Sequence, residues 1–113
     1  MSQSKPLNHE EIVKVIPLLI HVLKMRSPLY APELKRLLQE ECDNNSLSYR
    51  CHESRIRQMI NHLRTHSKLP VIGDKRGYRI AQSEQEKITQ AQSLKERAES
   101  IMAAANGLMN IPI

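Results

Sequence analysis

No stretch of this 113-residue chain approaches the roughly 20 consecutive apolar residues that a membrane-spanning helix needs. The first ten residues are polar, and the later apolar run Val15–Leu23 lacks the flanks of a secretory leader. Both absences point to an intracellular, cytoplasmic protein. Cysteine is scarce too: Cys42 and Cys51 are most simply free thiols in a reducing compartment. There is no glycine-rich phosphate cradle, no helical His-Glu-x-x-His and no Cys-x-x-Cys. The acidic residues form no paired-carboxylate site. The expectation is therefore a protein that is not an enzyme and carries no cofactor. Cys42, Cys51, His52, His62 and His66 lie close in sequence, but zinc ligands usually come in pairs two to four residues apart. The two cysteines do not, so no metal site is expected.

What the chain does have is positive charge, and it is concentrated. The formal net charge is +5. Residues 1–49 are balanced, with six basic and six acidic side chains. Residues 50–79 hold eight basic and two acidic side chains, a local excess of +6. Residues 80–113 hold three and four, a net of −1. A cationic segment of this kind suits a polyanionic partner, because phosphates release counterions when Lys and Arg replace them.

Residues 1–7 are polar and are expected to be loose. Asn8 followed by Glu11 forms a capping box and starts a helix. Ile12, Val13, Val15, Ile16, Leu19, Ile20, Val22 and Leu23 make that helix apolar on most sides, hence central to a core. Pro17 interrupts it: either the helix kinks there or a second helix begins. Leu29-Tyr30 reads as a short extended segment. Ala31-Pro32 opens the next helix, with Leu34, Leu37 and Leu38 as its buried stripe. Glu40 to Ser46 reads as a loop.

A third helix is expected from about Cys51 or His52 to Ser67. Ile56, Met59, Ile60 and Leu63 form its apolar stripe. Leu69, Val71 and Ile72 then give a short strand, Gly73 to Gly77 a turn, and Tyr78-Arg79-Ile80 a return strand. Two of the chain's three glycines flank that turn. Ser83 and Glu86 form a second capping box. The helix they start carries Ile88, Ala91, Leu94, Ala98, Ile101, Ala105 and Leu108 at near-heptad spacing and should stop near Asn106-Gly107. Such a helix either folds back on the first helix or pairs with a second copy as a homodimer.

The order helix, hairpin and basic turn over Ser54–Ala81, with the phrase IRQMINHLR…LPVIGDKRGYRIA, resembles the second half of a winged helix-turn-helix domain. More narrowly, it resembles small winged-helix DNA-binding proteins of phages and prophages. The resemblance implies a mostly α fold: three helices, a small β-wing and a long C-terminal helix. It implies a loose N-terminus (1–7), a winged-helix domain (8–81), an amphipathic helix (82–108) and a tail (109–113). It implies sequence-specific binding of double-stranded DNA in transcription or replication control of a phage or mobile element. The third helix would enter the major groove, with His52, Arg55 and Gln58 reading bases, and Ser54, Asn61 and His62 on the same polar face. Arg50, Arg57, Arg64, Lys68, Lys75 and Arg76 would hold phosphates, the last two from the wing tip. The other expectation is a protein-binding module on the same scaffold, such as a phage-encoded inhibitor of a host protein.

Overall fold

The computed structural model describes residues 5–113; the expectation of a loose segment at residues 1–4 lies outside the described residues. The capping box forms as the sequence predicts. The Asn8 N–H donates to Glu11 Oε1 (3.0 Å), and the Glu11 N–H donates to Asn8 Oδ1 (2.8 Å). A wide π-helical turn, Glu11–Val15, follows and runs directly into α1 (Ile16–Arg26). The Ile16 N–H reaches back five residues to the Glu11 carbonyl. This settles the path at Pro17. The ring stands in the first turn of α1, and the extra residue in the preceding turn absorbs the clash that proline imposes on a regular helix.

Helix α2 is Ala31–Asn44, with Pro32 in its first turn. It therefore includes Glu40–Asn44, part of the Glu40–Ser46 stretch that the sequence reading assigns to a loop. The reason is Cys42, which behaves as a small apolar residue one turn beyond Leu38 and continues the buried stripe. Residues 45–52 connect α2 to α3 (Glu53–Thr65). Gln39 holds this connection with both ends of its amide. Its Nε2 donates to the Tyr49 carbonyl (2.8 Å), and its Oε1 accepts from the Cys51 N–H (2.8 Å).

Strands β1 (Val71–Asp74) and β2 (Gly77–Ile80) form an antiparallel hairpin with Val71 opposite Ile80 and Asp74 opposite Gly77. Gly73 thus lies within a strand, and the turn itself is only Lys75-Arg76. The extended segment expected at Leu29 pairs with the outer edge of β2. The Leu29 N–H donates to the Tyr78 carbonyl (2.9 Å), and the Tyr78 N–H donates to the Leu29 carbonyl (2.8 Å). Gly77 permits this approach. Its φ is +97°, and a Cβ there would sit 2.4 Å from the Leu29 carbonyl oxygen.

The core lies between α1, α2, α3 and β1. Leu19, Leu23, Leu34, Leu38, Met59 and Leu63 are fully enclosed, with Val71 beneath them. Each such side chain contributes about 1.5–3 kcal/mol by leaving water. The architecture is mostly helical with one small two-stranded antiparallel sheet.

The chain divides into two compact units at Ala81/Gln82. The second unit contains α4 (Glu84–Met109), capped by Ser83, whose Oγ accepts from the Glu86 N–H (3.2 Å). This helix runs through Gly107 rather than stopping there, and none of its residues is buried. No helix among the described residues is long and apolar enough to cross a membrane.

Candidate nucleic-acid interface

Because α3 turns Ile56, Met59, Ile60 and Leu63 into the core, its opposite side faces outward. His52, Ser54, Arg57, Asn61 and Thr65 are exposed there, as are Arg50 before the helix and Lys68 after it. His62 is half-buried and stacks on His66, with centroids 4.0 Å apart and planes at 22°. Burial first, and the neighbouring His66 second, depress its pKa, so it favours the neutral form.

The two flanks of α3 are built differently. On one flank lies Glu11, only 1% exposed. Arg55 Nε donates to Glu11 Oε2 (2.9 Å), and the Tyr49 hydroxyl donates to the same carboxylate. Arg55 Nη1 also donates to the Lys5 carbonyl (2.6 Å) and to Gln58 Oε1 (3.0 Å), while Nη2 donates to the Pro6 carbonyl (3.2 Å). Gln58 Nε2 donates to the Lys5 carbonyl (2.8 Å). The hydrogen bonds from Arg55 hold the Glu11 carboxyl down at about 2, against the opposing effect of burial. Burial and the adjacent carboxylate push the Tyr49 hydroxyl far above its ordinary value, so it stays a neutral donor.

These contacts correct the sequence reading at three points. Arg55 and Gln58, expected to read bases, spend their polar groups on Glu11 and on the backbone of residues 5 and 6. A guanidinium that neutralises a buried carboxylate cannot leave it cheaply. Residues 5–7, expected to be loose, are instead held against α3 through the Lys5 and Pro6 carbonyls.

On the other flank, Arg64 Nε donates to the Val71 carbonyl (2.8 Å) and ties α3 to β1. Arg64 is thus a link to the hairpin rather than an outward cation. Arg55 and Arg64 are nine residues apart, about two and a half turns at 3.6 residues per turn, so they point to opposite flanks. The hairpin therefore belongs to the Arg64 side of α3, away from Arg55, with Arg57 and Asn61 on the outward arc.

The hairpin tip is held by several hydrogen bonds. The Tyr30 hydroxyl donates to the Lys75 carbonyl (2.7 Å). Asp74 Oδ1 accepts from the Arg76 N–H (2.8 Å), and Asp74 Oδ2 accepts from Arg79 Nε (3.0 Å). Those bonds, that of the Arg76 N–H first, keep the Asp74 carboxylate ionised below its usual range. The Arg76 guanidinium stands 3.5 Å from the same carboxylate. Lys75 and Arg76 are both exposed at the tip.

Tyr30, Glu11 and Tyr49 were not singled out as site residues by the sequence reading. For Glu11 a signal was present, the capping box, but it announced only a local role. Cys42 and Cys51 are buried free thiols. Burial, and then the neighbouring Cys42, push Cys51 up to about 12. Among the described residues, no group of three or more His, Cys, Asp and Glu side chains is placed to hold a metal ion. Comparison of the chain with protein-family models, with characterised proteins and with solved structures returned no match.

Proposed function

We propose that residues 8–81 form a winged helix that binds double-stranded DNA, with α3 in the major groove and the Lys75-Arg76 hairpin tip on the flanking backbone. The observation that carries this reading is the three-way tie at the hairpin. Leu29 pairs with β2, the Tyr30 hydroxyl holds the Lys75 carbonyl, and Arg64 bonds β1 to α3. Arg64 ties the hairpin to α3, and Leu29 and Tyr30 tie it to the segment before α2; a cationic tip supported in this way can meet the same duplex as the helix face.

The contact set differs from the one read in the sequence. Asn61 and Ser54 take over base reading, since an Asn amide pairs with adenine and neither residue has another side-chain partner among the described hydrogen bonds. Arg57, Lys68, Lys75 and Arg76 hold phosphates, joined by Arg50 and His52 near the start of α3. Arg55, Gln58 and Arg64 position the helix and do not face the duplex. Control of transcription or replication in a phage or mobile element remains the role this reading serves.

Salt titration of binding to a mixed-sequence duplex, followed by fluorescence anisotropy, tests the proposal. Log K should fall with log salt at about −0.9 per phosphate contact. Arg57→Ala and Lys75→Ala should each weaken all sequences alike and flatten that slope by about one. Asn61→Ala should relax preference at one base pair by about 1–3 kcal/mol. Absence of binding at low salt, with capture of a host protein instead, would replace this reading with that of a protein-binding module.

A further inference from the structure

Helix α4 is 26 residues long and buries none of them. Ile101 is 63% exposed and Leu108 71%. Six of its apolar positions follow a seven-residue rule. Ala91, Ala98 and Ala105 recur every seven residues, and Leu94, Ile101 and Leu108 recur every seven residues, three places later. Together they make one seam with the alternation that coiled coils use, small residues at one seam position and large at the other.

We propose that α4 pairs with α4 of a second copy of this chain, antiparallel, in the register that sets Ala91 against the partner's Leu108. The same register sets Leu94 against the partner's Ala105 and Ala98 against the partner's Ile101. Every layer then holds one small and one large side chain, the arrangement that fills an interface without voids. A parallel pair would instead stack alanine on alanine in alternate layers and leave each of those layers underfilled. One register satisfying all three pairs is the self-complementarity of a two-fold interface, where residue i meets j and j meets i.

Charge agrees with the same occupant. Residues 100–113 contain no charged side chain, whereas residues 84–99 contain Glu84, Glu86, Lys87, Lys95, Glu96, Arg97 and Glu99. Antiparallel pairing lays the uncharged half of one helix along the charged half of the other. The aliphatic stems of Lys95 and Arg97, which flank the seam, can then cover the partner's apolar surface with their heads in water. Opposed helix dipoles favour this orientation too.

The test uses the full chain and two measurements. Sedimentation equilibrium should give twice the chain mass, and Ile101→Glu should weaken the association about thirtyfold or more, the scale of an interface hot spot. Ile101 belongs to a helix with no buried residue, so an unchanged melt of the remainder separates lost pairing from lost folding. Single variants Ala91→Cys and Leu108→Cys, mixed under mild oxidation, should form a disulfide between unlike chains. Neither variant alone should link to itself. A single-chain mass at every concentration, or Leu108→Cys linking to itself faster than the mixture links, overturns the proposal. DNA binding enters neither measurement.

Discussion

Helices α3 and α4 both carry apolar residues at three- and four-residue spacing, yet they meet different fates. In α3, Ile56, Met59, Ile60 and Leu63 are at most 2% exposed. In α4 no residue is buried, and Met102 is 62% exposed. The polar side chains differ in the same way. Arg55 of α3 reaches 44 positions back to Glu11, whereas Lys87 of α4 pairs locally with Glu84 at 2.9 Å. Periodicity states which face of a helix is apolar; it does not state what covers that face. In the first unit the cover comes from the same chain, and removing it should cost folding free energy.

The contrast breaks most visibly at the internal ion pair. Arg55→Ala leaves the Glu11 carboxylate with Tyr49 and the Asn8 N–H but no cation, and should cost about 3 kcal/mol in urea unfolding; a variant as stable as the parent would erase the distinction between the two helices. Acid should act on the same pair. The folded-state pKa of Glu11, about 2, lies below its ordinary 4.5. Its stabilisation, roughly 3 kcal/mol, is therefore complete above the ordinary value and is lost as pH falls from 4.5 toward 2. A Glu11→Gln chain should show a correspondingly shallower acid transition, and an identical one would remove the pair from the account.

Next in size is the core. Leu38→Ala should cost about 2–5 kcal/mol, through lost transfer energy plus the cavity left behind. Gly77→Ala should cost about 1–3 kcal/mol, since it forces a side chain into left-handed backbone against the Leu29 carbonyl. Its signature is specific: amide exchange should quicken at Leu29 and Tyr78 before it does in α3. Smallest is Ile101→Ala, which should leave the melt of the first unit within about 0.5 kcal/mol of the parent. A large shift there would contradict the division of the chain at Ala81/Gln82.

Much of the fold could be read from spacing, because its information is local. The Asn8–Glu11 capping box, the α3 stripe, the presence of a hairpin around Gly73–Gly77 and the extended segment at Leu29 each follow from a few neighbouring residues. The end of α2 differs from the reading because the turn formers Asp43, Asn44, Asn45 and Ser46 suggest a loop, whereas the buried Cys42 carries the apolar stripe one turn further. The candidate site was less legible. Arg55 and Gln58 have the right type and the right helical face for base reading, and nothing within their own helix reveals otherwise. Their partners are Glu11 and the carbonyls of Lys5 and Pro6, a meeting that only the packing of the first helical turn against α3 creates. Arg64 is the same case with β1 as its partner.

The hairpin also bears on how copies of this chain can stick together. A two-stranded sheet normally offers two unpaired rims on which a foreign strand can grow. Here Leu29 already occupies the rim beside Tyr78, and the Arg64 guanidinium caps the Val71 carbonyl on the other rim. Strand addition and fibrillar growth from this sheet are thereby discouraged, which leaves helical surfaces as the ready route to self-association in concentrated solution.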